Sequence, residues 1–123
     1  MKTVNRLLGV SALATVLGAG VFAIPAVSVA ADAKALEEGK ALAFDRKKGN
    51  CLACHMIAGG VSPGNIGPPL IAMKARFPDP KVVHDRIYDP QKFNPETTMP
   101  PFGKHGALSE DEINKIVDFV MTL

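Results

Sequence analysis

Cysteine is scarce in this chain: two residues in 123, Cys51 and Cys54. A single closely spaced pair cannot supply the disulfide framework common in small exported domains. No second C-x-x-C accompanies it, which counts against a zinc ribbon. No cysteine precedes Cys51, so the N-terminal stretch offers none for lipid modification. An excess of charge is missing too. The chain has 14 Lys plus Arg and 12 Asp plus Glu, but Lys2 and Arg6 fall in a leader, leaving 12 basic against 12 acidic residues. The slightly basic whole-chain balance is therefore misleading, and the basic stripe that a nucleic acid would need is absent.

Residues 1–30 read as a cleaved secretory leader. Lys2 and Arg6 give it a positive start, Leu7 to Ala26 an apolar run, and Ser28-Val29-Ala30 the small residues a peptidase requires. Cleavage is expected after Ala30 or Ala31. The competing reading, an uncleaved membrane anchor, is weakened by Gly9, Gly18, Gly20 and Pro25. No membrane span is expected in the mature chain. Residues 31–123 then form one small domain, whose own apolar core would be marginal.

What is present is Cys51-Leu52-Ala53-Cys54-His55. Bare C-x-x-C fits zinc, a redox dithiol or haem; the appended histidine selects the attachment site of a c-type haem. Two thioether bonds would pin one edge of the ring, and His55, held on the same turn, would reach the iron with little further loss of chain freedom. A covalent, flat, apolar cofactor also supplies the missing core. Both thiols are then consumed, leaving none for catalysis.

Around this motif the chain reads as helices and stiff loops. Asp32 to Lys48 has loosely helical apolar spacing and stops at Gly49-Asn50. Gly39 in its middle is either a weak point in the helix or the place of a close helix crossing, the crossing being favoured by its central position. Arg46-Lys47-Lys48 reads either as a solvated helix end that offsets the macrodipole or as a basic border to the haem edge. Ala58 to Leu70 is loop, and Gly67-Pro68-Pro69-Leu70 is rigid enough to hold a carbonyl against a metal-bound imidazole, or else is an ordinary turn. Short helices are expected over Ile71 to Phe77 and from Asp79-Pro80 to Asp89-Pro90, with His84 at the surface. Ser109 and Glu112 form a capping box before Ile113, Ile116, Val117 and Val120, which mark an amphipathic helix ending at Leu123 and packing on the first.

Asn94 to Gly103 places Met99 in a proline-stiffened loop where helical periodicity gives it no place. A thioether axial ligand needs such a loop, because the sulfur must be presented at one angle and water kept away. Met56, Met73, His84 and His105 compete for the same position.

The order helix, C-x-x-C-H, Gly-Pro loop, short helices, methionine-proline loop and terminal helix resembles the class I cytochromes c. That implies an all-α fold around one covalent haem c, His55 and Met99 as axial ligands of the iron, and Pro68 as the residue whose carbonyl holds the proximal histidine. Closer still is the resemblance of Gly39 to His55, Pro63 to Leu70, Lys74 to Pro78, Ile87 to Pro90, Met99 to Gly103 and Lys115 to Val120 to the SoxX family. These are the monohaem subunits of the SoxAX cytochromes. The resemblance implies a periplasmic heterodimer with SoxA. Such a complex acts as an L-cysteine S-thiosulfotransferase, coupling thiosulfate to a cysteine of the carrier SoxYZ. This chain would contribute no catalytic residue and would relay electrons to a downstream cytochrome. The alternative is a free-standing electron shuttle.

Overall fold

The structure is a computed structural model that describes residues 27–123, with side chains from Asp32 onward. The leader expected over residues 1–30 thus lies outside the described residues except for its last four. Four α-helices follow one another: α1 (Val27–Phe44), α2 (Met73–Arg76), α3 (Pro80–Tyr88) and α4 (Glu110–Val120). Short 3-10 turns occupy Cys51–Ala53 and Pro90–Lys92. Among the described residues there is no strand, as an all-α fold requires, and no helix is long and apolar enough to cross a membrane.

The chain is organised on α4. Ser109 accepts from the amide of Glu112 at 3.2 Å, and the Glu112 carboxylate returns to the Ser109 amide at 2.9 Å, closing the capping box. The helix buries Ile113, Ile116, Val117, Phe119 and Val120, each contributing about 1.5–3 kcal/mol of transfer free energy. Ala43, Ile57, Met73, Val83 and Leu108 complete the core.

Helix α1 crosses α4 at Gly39. A Cβ at this position would overlap the carbonyl oxygen of Lys115, so only glycine permits the approach. Phe44 meets Phe119 edge to face, with centroids 5.9 Å apart. Two ion pairs clip the crossing: Lys115 Nζ lies 3.0 Å from Glu38 Oε2, and Lys48 Nζ lies 2.6 Å from Glu112 Oε1.

Helix α1 stops at Phe44, four residues short of its expected end. The Asp45 carboxylate accepts from the Lys47 amide at 2.8 Å, and the Gly49 amide reaches back to Leu42 O at 3.1 Å. This local capping competes with helix continuation. Arg46, Lys47 and Lys48 therefore sit in a turn after the helix rather than on its last turn, and Lys48 is engaged by α4. Elsewhere α2 begins at Met73 rather than Ile71 and ends before Pro78, Asp79 caps α3 by accepting from the Lys81 amide at 2.9 Å, and α4 ends at Val120, three residues short of its expected end at Leu123.

Candidate functional site

Cys51 opens a 3-10 turn in which its carbonyl accepts from the amides of Cys54 (3.2 Å) and His55 (2.8 Å). The two thiols and the imidazole thus share one turn. Beside them the glycine-proline segment runs as a second strip of backbone. Gly64 N donates to Leu52 O at 2.7 Å, Gly67 N to Cys54 O at 2.8 Å, and Leu70 N to Met56 O at 2.9 Å. The strip ends the freedom of His55: its Nδ1 lies 2.7 Å from the carbonyl oxygen of Pro68. A carbonyl only accepts, so Nδ1 carries the proton and Nε2 is left with its lone pair for a metal. Gly67 is packed so tightly against this ring that a Cβ would overlap Cε1.

His55, Cys51 and Cys54 line a cavity of about 320 Å³ whose other walls are mainly apolar. Met99 lines the same cavity. Its loop is shaped from within: the Glu96 amide donates to Asn94 Oδ1 at 3.1 Å and the Met99 amide to Thr97 Oγ1 at 3.2 Å. Of the competing ligands, Met56 is 55 % exposed and away from the cavity, and His105 is exposed on the turn beyond Gly103. Met73 lines the cavity, but from within the helical core, with Arg76 Nη1 at 3.6 Å from its sulfur. His84 is the one displaced from its expected place. It is only 16 % exposed, stacked on Tyr88 and held between Asp85 and Glu110 in the groove of α3 and α4. The charge of its neighbours suggested a surface residue; the carboxylate of Glu110, from a separate helix, covers it instead.

Burial pushes the Cys51 thiol up to about 11. A thiol raised by burial is held in its neutral form. Among the described residues no three His, Cys, Asp or Glu side chains converge as a metal cluster would. Neither observation opposes the haem reading of the motif.

Two residues of the site carried little sequence signal. Arg76 and Arg86 line the cavity, and neither has a carboxylate in ion-pair range among the described residues. Arg76 Nη1 donates to the carbonyls of Pro69 (2.9 Å) and Ile71 (3.3 Å), and the Arg86 guanidinium lies over Phe93, 4.4 Å from its centroid. Arg86 shares one face of α3 with Val82, Val83 and Ile87, a placement that by itself says nothing of a site.

A haem is a flat apolar ring with two vinyl groups, two carboxylate tails and an iron that takes axial donors. The cavity offers thiols for the vinyls, Nε2 of His55 and the thioether of Met99 for the iron, apolar walls for the ring, and uncompensated guanidiniums for the carboxylates. The residues present fit the group.

Comparison with known proteins agrees. The family described as cytochrome c oxidase, cbb3-type, subunit III matches residues 34–120. An uncharacterized lipoprotein of Aquifex aeolicus (strain VF5) is 44 % identical over 77 residues, which are 60 % of this chain and 36 % of the relative. The chain thus spans little more than a third of that relative's length.

Proposed function

The chain belongs to the cytochrome c oxidase cbb3-type subunit III family of cytochrome c domains, and from that premise we propose that it is a one-electron relay with a closed iron coordination sphere. Haem c is its cofactor, held covalently. The observation that carries the proposal is the joint placement of Cys51, Cys54, His55 and Met99 around one cavity, with Pro68 fixing the imidazole. The haem supplies reversible one-electron exchange. Cys51 and Cys54 would anchor its edge, and His55 Nε2 and Met99 Sδ would hold its iron. Pro68 O holds the imidazole proton, which sets the ring plane and raises the basicity of Nε2. A thioether donor from Met99 would favour the reduced state and, with His55, would leave no open site for substrate. With both thiols bound, no nucleophile of this chain remains for chemistry on sulfur.

Within that role we assign the chain to the SoxX kind. Its partner would be SoxA, which would hold the substrate site. Thiosulfate and the SoxYZ cysteine would be joined there with release of two electrons, and this chain would pass them singly to a downstream cytochrome. The address would be the periplasm, supported by the leader-like residues 1–30 and by a relative named as a lipoprotein.

One surface feature favours a standing subunit over a free shuttle. Residues 49–73 contain no Asp, Glu, Lys or Arg, yet Met56, Val61 and Ile71, all outside the cavity lining, are 55 %, 85 % and 56 % exposed. An uncharged apolar strip bonded to the haem motif suits lasting contact better than electrostatically steered encounters. Co-expression with a SoxA subunit tests the assignment. A stable two-chain complex whose small-subunit haem is reduced by thiosulfate in the presence of SoxYZ is expected. A monomer indifferent to SoxA would leave the free shuttle.

A further inference from the structure

Asp89 is the buried acid of this fold, its side chain 6 % exposed. Its Oδ1 has no hydrogen-bond partner, and its Oδ2 meets one cation, Lys104 Nζ, at 3.1 Å. A carboxylate taken out of water on these terms is costly, so the pair is expected to serve something other than bulk stability.

Its place in the chain says what. Asp89 ends α3 and immediately precedes the turn Pro90–Lys92, from which the Met99 loop departs: the Asn94 amide donates to Pro90 O at 3.1 Å. Lys104 stands where that loop returns. There the Phe102 amide donates to Ile87 O at 3.2 Å and the Lys104 amide to Tyr88 O at 3.1 Å. Gly103, between them, lies flat on the Tyr88 ring, where a Cβ would overlap Cδ2. Departure and return of the loop are thus both fastened to the last turn of α3, and the Asp89–Lys104 contact closes the ring between them. Nothing else charged spans the two ends among the described residues.

We propose that Asp89 and Lys104 form a buckle that closes the Met99 loop, making both of them positioning residues for the thioether. The proposal rests on the reading of Met99 as the sixth ligand. Opening the buckle leaves the core of α1 and α4 untouched but frees the loop to swing its sulfur from the iron. The asymmetry of the pair gives it force: loss of the lysine strands a buried carboxylate, so the loop must open to hydrate it.

The test uses the holoprotein and Lys104→Gln, a change at a half-exposed side chain (52 %) that leaves the core intact. Imidazole is the probe, because it must displace the native sixth ligand to bind ferric iron. Lys104→Gln is expected to bind imidazole roughly ten-fold faster than the wild type, and Lys104→Arg to behave as the wild type. In Lys104→Gln the Phe102 and Lys104 amides should exchange hydrogen faster while those of α4 do not. Adding Asp89→Asn to Lys104→Gln should reduce the acceleration, since the stranded charge is gone. Unchanged imidazole binding and unchanged Phe102 exchange in Lys104→Gln would overturn the buckle, as would equal acceleration of exchange throughout α4. Failure of the ligand reading has its own signature: Met99→Ala would then bind imidazole at the wild-type rate, while exchange at Phe102 would still decide the buckle.

Discussion

The carbonyl of Pro68 lies 2.7 Å from Nδ1 of His55, across 13 residues of chain. That contact fixes three things at once: the tautomer of the imidazole, the plane of its ring and the nitrogen left for iron. It exists because the glycine-proline strip is hydrogen-bonded rung by rung to the C-x-x-C-H turn.

Gly67→Ala should damage this arrangement without touching a ligand. The added methyl would overlap the His55 ring, which must tilt or push the Pro68 carbonyl away. A lowered yield of holoprotein is expected, with a shifted midpoint potential in what matures, measured by redox titration. An unchanged potential would mean that the carbonyl does not tune the iron.

Gly39→Ala probes the scaffold instead. Its Cβ would overlap Lys115 O, so α1 must lift from α4 and loosen the Phe44–Phe119 contact. A loss of about 2 kcal/mol, in the range of overpacking at other helix contacts, is expected from denaturant unfolding of the holoprotein.

Acid should weaken the fold through its carboxylates. The hydrogen bond from Lys115 lowers the Glu38 carboxyl, that from Lys48 lowers Glu112, and that from Lys81 lowers Asp85. A lowered folded-state pKa gives stability that is fully present above the ordinary carboxylate range and is lost as the pH falls through the lowered values. Unfolding midpoints should therefore stay flat from about pH 8 to 6 and fall below about pH 5. Glu112→Gln should reduce that fall, and because these groups are exposed the effect should shrink in high salt.

Val61→Lys places a charge in the uncharged strip, at a residue 85 % exposed and outside the lining of the cavity. Free holoprotein should be as stable as before, since no packing is lost. Co-purification with SoxA, the partner proposed above, should drop sharply. Retention of the complex would put the subunit contact elsewhere.

How far the sequence could be read follows from where each interaction comes from. The capping box at Ser109 and the apolar spacing of Ile113 to Val120 are local and were legible to within a residue or two. Gly39 was legible as a crossing because a glycine inside a helix needs a reason. The end of α1 was not, since the Asp45 carboxylate and the Gly49 amide compete with helix continuation in a way that periodicity does not encode. At the site, the C-x-x-C-H turn was evident from spacing. The His55–Pro68 contact remained one of two possibilities until the backbone rungs between their segments were seen. Arg76, Arg86 and the Asp89–Lys104 pair were beyond reach, because their meaning depends on partners from other segments. His84 was misjudged for the same reason, Glu110 being 26 positions away.

The most direct test of the account is the ferric absorption spectrum of the holoprotein and of two variants. A methionine-to-iron charge-transfer band is expected in the wild type, retained in His105→Ala and abolished in Met99→Ala. Loss of the band in His105→Ala, or its persistence in Met99→Ala, would contradict a relay whose iron is closed by His55 and Met99.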